Sequence, residues 1–301
     1  MDREELLMTR LPKKLVFTIV FWMAFSQTNA WPITRDEIIQ TAKSFVDLDW
    51  RCGRYNASRE FNLLVPGKTY LGVSYNWGGF DLPSEFLRKV ESGKVAGNYK
   101  KRCGENLCVR FDFAGLDCSG FISRCWQVPR YSTGALPIIA IKIQRKLLKP
   151  GDILNSRNKH AVLFHRYDDA GEMWAFESSA WVRQQGAPPA GVVYRAVDLG
   201  DEYVPRRFYK FIHLGDRIRT ERPVTARERF KGGKQWAIPA KTRGTISKGP
   251  EFRDKSSSGK TPSQVWYLID YENGKQGWST LRDLILIEEA EPLPATGSPA
   301  S

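Results

Sequence analysis

Apolar positions recur at helical spacing in two stretches and alternate with polar ones in several others, which sorts the chain into helices and strands. In WPITRDEIIQTAKSFVDLDW, Ile38, Ala42, Phe45 and Val46 trace one face, and Thr34 with Glu37 forms a capping-box pattern, so a helix is expected to begin just after Thr34. In GLDCSGFISRCW, Phe121, Ile122, Cys125 and Trp126 follow Asp117, a good N-cap, and predict a second helix starting at Cys118. Further on, His160 heads the strand-like run HAVLFHRY. The turn DDAGE then returns the chain through MWAFESSAW, a pairing strand that brings Glu177 back beside His160. Period-2 alternation points His165 to the opposite face from His160. YKFIHLG reads as a last strand of this region, with His213 alternating with Phe211 as an ordinary, partly buried histidine.

From residue 224 to 289 the pattern changes to short strand-like runs separated by turn signals. Asn273-Gly274, set between the apolar alternations of QVWYLIDYENGKQGWSTLRDLILIEE, marks a tight hairpin. Trp236, Trp266, Tyr267 and Trp278 form a ligand surface or pack a small core, and core packing is the expectation for at least half of them. SSSGKTPS reads as a flexible loop and the tail EPLPATGSPAS as disordered.

The helix expected at Cys118 carries the chemistry. A cysteine attacks as its thiolate, and the first N–H groups of a helix, with its dipole, stabilise an anion placed there. Ser119 and Gly120 are small enough to let backbone N–H groups approach a substrate oxygen. A free cysteine is equally often only a small buried hydrophobe. Three other stretches shift that balance: SYNWGGFD at 74–81, whose two glycines permit a tight turn, the strand headed by His160, and the returning strand with Glu177.

Taken in order, YNWGG, DCSGF with its following Trp126, PGDIL, KHAV and the polar residue in FESS resemble the NlpC-type cell-wall cysteine peptidases, a circularly permuted papain-like family. The resemblance spans residues 31–215 and implies an α+β, papain-like NlpC-type catalytic domain. It implies Cys118 as nucleophile, His160 as general base and then acid, and Glu177 as the residue orienting the imidazole. Tyr75, Asp117 and Ser119 would line the substrate site, with Asp117 able to receive a free substrate amine. Two features depart from the family. Its third residue is more often His, Asn or Gln; a carboxylate there would favour the imidazolium, and the rival Glu172 falls in the turn. The long basic stretch from Ser84 to Phe113 is an insertion shaping the cleft or a solvated surface excursion. Beyond a linker at 216–223, GWSTLRDLIL looks like the closing strands of a bacterial Src-homology-3-like barrel. That makes 224–289 a small all-β domain and 290–301 a disordered tail.

The start of the chain sets the compartment. Arg10, Lys13 and Lys14 precede an apolar run from Leu15 to Phe25, and Thr28 and Ala30 occupy small-residue positions before a cut after Ala30, so 1–30 reads as a secretory signal peptide with no stable membrane span left after cleavage. An exported chain with five cysteines should keep one free. With Cys118 in that role, Cys52, Cys103, Cys108 and Cys125 allow three pairings, and Cys103 with Cys108, flanking the GENL turn, is the favoured bridge. A zinc site is not expected, because that pair has no second close Cys or His pair, and neither is a cofactor.

A length of 301 residues with 42% hydrophobic content suits about two packed domains. The net charge of +13 is spread along the chain without an RNA- or DNA-binding motif, which fits anionic wall polymers or a generally solvated basic surface and no specific nucleic-acid partner. The expectation is a secreted or periplasmic hydrolase acting on peptidoglycan or muropeptides, cutting a stem-peptide amide at a D-glutamyl to diamino-acid bond through a thioester. The alternatives are a CHAP-type N-acetylmuramoyl-L-alanine amidase and a noncatalytic wall-binding protein.

Overall fold

Thr34 opens the first helix by the reciprocal cap its sequence predicts: its hydroxyl accepts the Glu37 N–H at 3.1 Å while the Glu37 carboxylate accepts the Thr34 N–H at 2.7 Å. Helix α1 (Arg35–Val46) buries Ile38, Ala42, Phe45 and Val46. The computed structural model describes residues 33–100, 109–110, 112–182, 184–254 and 262–290. The leader expected at 1–30, Cys103 and Cys108, and the tail expected from residue 290 lie outside the described residues apart from residue 290 itself, as does most of the SSSGKTPS loop.

Two further helices follow, α2 (Pro83–Glu91) in the basic stretch and α3 (Cys118–Cys125) where the apolar spacing placed it. A two-stranded sheet pairs β1 (Asp49–Arg51) with β2 (Thr69–Leu71). Every other strand joins one sheet. In chain order these are β3 (Ala140–Ile143), β4 (Ile153–Ser156), β5 (His160–Tyr167), β6 (Met173–Ser179), β7 (Gly191–Val197), β8 (Val204–Phe208) and β9 (Arg217–Thr220). They continue with β10 (Val224–Arg229), β11 (Gly232–Ile238), β12 (Arg243–Asp254), β13 (Pro262–Tyr271), β14 (Gln276–Thr280) and β15 (Leu284–Glu288). The spatial order is β11-β10-β14-β13-β12-β9-β15-β3-β8-β4-β5-β6-β7.

This architecture corrects the expected α+β, papain-like domain followed by a small separate barrel. The described residues are mostly β, with three α-helices and a single sheet of 13 strands that runs through both halves of the chain. The junction is β15, which pairs antiparallel with β9 on one edge and parallel with β3 on the other, through Ile285↔Lys142 and Leu286↔Ile143. Alternation tells which side chains of a strand share a face but not which strand lies beside it, so the sequence pattern could not reveal this continuation. The Asn273-Gly274 hairpin does form between β13 and β14, with Gly274 at φ +78°. Trp266, Tyr267 and Trp278 are buried there and Trp236 is half-buried, so these aromatics mainly pack. YKFIHLG is not a strand: Tyr209–Phe211 is a 3-10 turn, and His213 is exposed beyond it, its N–H donating to Asp216 at 2.9 Å.

Strands β4 to β7 bury both faces. Ile153, Ala161, Leu163, Phe176 and Val192 join the main core, while Leu154, Val162, Phe164, Met173, Ala175 and Val197 form a second cluster. Helix α3 lies in the main core, where Phe121 meets Phe45 edge-on at 5.5 Å. Trp126 stacks on Phe208 at 4.8 Å and donates from its indole to the Gly151 carbonyl at 2.9 Å, tying the helix end to the turn before β4. Asp152 in that turn is fully buried against Arg207 at 2.9 Å and accepts from Arg35 at 3.0 Å, while Arg207 also reaches Glu289 at 2.6 Å. Burial pushes the Arg207 guanidinium down, and the two carboxylates outweigh it, so its pKa is raised. One charge set thus joins α1, the start of β4, β8 and the end of the described chain.

Candidate active site

Asp117 begins the site. Its Oδ1 accepts the Gly120 N–H at 2.6 Å and the Ser119 hydroxyl at 2.9 Å, and its Oδ2 accepts the Gly78 N–H at 3.1 Å and Arg130 at 2.6 Å. The carboxylate caps α3 and pins the WGG turn and Arg130 to it. Four donors fill its lone pairs, so Asp117 anchors the helix rather than meeting a substrate amine. The Ser119 side chain is likewise buried and committed. The glycines are required by space: a Cβ on Gly120 would stand 2.6 Å from the Gly79 carbonyl oxygen, and one on Gly79 would stand 2.3 Å from that of Gly115.

This capping leaves Cys118 as the first residue of the helix, nearly buried at 4% exposure. Gly120 is satisfied by Asp117 and Phe121 donates to the Asp117 carbonyl at 2.8 Å, whereas the N–H groups of Cys118 and Ser119, as the first of the helix, have no acceptor within it. Beside them lies Tyr75. Its hydroxyl is buried with no hydrogen-bond partner among the described residues, and burial, with the charges of Cys118 and Asp117, pushes the phenol well up, so it remains a donor.

Near Cys118 stands His160, the half-buried first residue of β5, close enough for the thiol to raise the affinity of the imidazole for a proton. The returning strand β6 supplies Glu177, whose Oε2 is 2.6 Å from His160 Nε2. The β5–β6 pairing anticipated from the DDAGE turn is present, with a register shift between Phe164 and Arg166. His165 hydrogen-bonds the Tyr194 hydroxyl at 2.7 Å, and burial and the nearby Lys43 and Arg166 lower its pKa. Glu172 stays exposed in the turn.

Arg195 on β7 completes the row, donating from Nε to Glu177 Oε1 at 2.6 Å. It was not anticipated. Its signal is visible only once register is known: Glu177 faces Val193 and Ala175 faces Arg195, which puts Arg195 on the diagonal from Glu177. Burial alone pushes the Glu177 carboxyl up; His160 and Arg195 outweigh it and hold the pKa below the usual carboxylate range. For His160 burial pushes down, and the neighbouring Cys118 and Glu177 more than reverse it, raising the pKa to about 9.

No protein-family model, curated protein or solved structure matches this chain. The chemistry therefore has to be read from the arrangement itself: a thiol at a helix start, an imidazole against it, a buried carboxylate behind the imidazole and uncommitted donors at the thiol.

Of the three described cysteines, Cys118 alone lies beside an imidazole. Cys52 and Cys125 are buried free thiols whose pKa values burial raises. The pairings of these two expected from an exported chain do not occur between them.

Proposed function

We propose that this protein is an exported cysteine hydrolase that cleaves an amide bond of bacterial peptidoglycan or of peptides released from it. The observation that carries the reading is Cys118 at the head of α3 with His160 near it and the hydrogen-bonded row His160, Glu177 and Arg195 behind. Such a row activates a thiol for acyl transfer.

In the proposed reaction Cys118 attacks the amide carbonyl as its thiolate. The developing oxyanion is held by the N–H groups of Cys118 and Ser119 and by the Tyr75 hydroxyl. His160, as imidazolium, gives its proton to the leaving amine, and the C–N bond breaks to leave a thioester. The neutral imidazole then takes a proton from water, which attacks the thioester and releases the acid and the thiol. Glu177 keeps the ring oriented through both steps, and Arg195 keeps Glu177 oriented and ionised.

Peptidoglycan as substrate is supported by the motif order YNWGG, DCSGF, KHAV and FESS, by the leader-like start and by the net charge of +13. A stem-peptide cut at a D-glutamyl to diamino-acid bond is the first reading. The carboxylate at the third position favours a second one, an amidase cut between the sugar and the peptide.

The test is to incubate the mature protein and its Cys118→Ala variant with purified peptidoglycan and with isolated muropeptides, and to weigh the products by mass spectrometry. Cleavage lost in the variant is expected, and the product masses separate the two bonds. Equal cleavage by the variant would refute the thiol mechanism. Cosedimentation with the wall and no cleavage of either substrate would leave a binding protein instead.

A further inference from the structure

Arg206 lies on β8 with its Nε buried and lacking a hydrogen-bond partner among the described residues, although its Nη1 donates to the Ala140 carbonyl at 3.2 Å. It lines a cleft of about 420 Å³ with Arg157, Arg282, Asn158, Ser132 and Gly134. Three arginines thus line one space from three elements: the β4–β5 turn, β8 and the 3-10 turn Leu281–Asp283. Arg157 and Arg282 are exposed and, among the described residues, neither takes part in an ion pair.

Nearby carboxylates do not balance this charge. None lines the cleft. Glu221, whose charge reaches Arg206, is paired with Lys142, and Asp283 is paired with Arg222 and bonded by Thr280. Burial, opposed by Glu221 and joined by Arg282 and Arg157, lowers the Arg206 pKa to about 10, which leaves it charged at neutral pH. Like charges held together in partly desolvated space repel one another, and an anion between them removes that repulsion. A carboxylate is planar and is satisfied by one guanidinium fork. A tetrahedral phosphate has oxygens enough for several forks and matches their geometry.

We propose that the Arg157–Arg206–Arg282 cleft is a binding site for a phosphate group, separate from the Cys118 centre. The chemistry is shared by a free or terminal phosphate, which carries up to two charges, and by a phosphodiester within a chain, which carries one.

The experiment uses the mature protein at constant ionic strength, titrated by calorimetry with inorganic phosphate, dimethyl phosphate and acetate. Saturable binding of a phosphate probe is expected. Preference for inorganic phosphate assigns a free or terminal phosphate, and equal binding of dimethyl phosphate assigns a chain phosphodiester. Arg157→Ala and Arg282→Ala should each raise Kd about tenfold, while the charge-matched control Arg54→Ala leaves it unchanged. Arg157 and Arg282 are exposed, and melting without ligand checks that the variants fold. No saturable phosphate binding, binding equal in the cleft variants, or acetate binding as well as phosphate would overturn the proposal.

Discussion

Glu177 Oε2 lies 2.6 Å from Nε2 of His160, and because an ionised carboxylate can only accept, the ring nitrogen must be the donor. That one contact orients the imidazole and raises its affinity for the second proton.

Removing the charge of Glu177 should therefore release the imidazolium earlier. In Glu177→Gln the alkaline limb of the pH profile for Cys118 alkylation, set in the native protein by the His160 pKa of about 9, moves to lower pH by at least about one pH unit. Iodoacetamide rates measured against pH check this, and an unmoved limb would show that Glu177 does not act on the ring.

The same pair makes stability depend on pH in both directions. His160 has a folded pKa raised from 6.5 to about 9, so its contribution is complete below 6.5 and is lost as pH rises through 9. Glu177 has a lowered folded pKa, so its contribution is present above 4.5 and is lost as pH falls through the folded value. The melting temperature of the native protein relative to Glu177→Gln should be highest between these limits and converge with it at either side. Arg195→Gln should narrow the acid side, since the guanidinium helps hold Glu177 ionised, and Arg195→Lys should restore part of it. A difference that does not vary with pH would contradict the ionic account.

The buried charge set around Asp152 should matter for folding rather than catalysis. Asp152→Ala leaves Arg207, itself 1% exposed, facing a lost carboxylate, and should cost about 3–5 kcal/mol. Thermal or urea unfolding measures it. Native-like stability of the variant would mean that Glu289 and solvent suffice for Arg207.

Thiol labelling should separate the cysteines by environment. Iodoacetamide at neutral pH followed by peptide mapping is expected to modify Cys118 rapidly and to leave Cys52 and Cys125, buried and raised in pKa, unmodified until the protein is denatured. Rapid labelling of Cys125 with Cys118 untouched would reverse the assignment.

What the chain determines locally could be read directly. The Thr34–Glu37 cap, the helix opening at Cys118 behind Asp117, the Asn273-Gly274 hairpin and the return of Glu177 beside His160 all depend on residues close in sequence, where spacing and hydrogen-bonding capacity leave few arrangements. Tertiary structure alone decided the rest. Arg195 reaches Glu177 only through the β6–β7 register, and Arg130 reaches Asp117 only across the loop after α3. Asp152 finds Arg207 through the packing of β4 on β8. The merging of two expected domains into one sheet rests on β15 pairing along both of its edges, and an edge of backbone N–H and C=O groups carries no side-chain pattern from which its partner could be read.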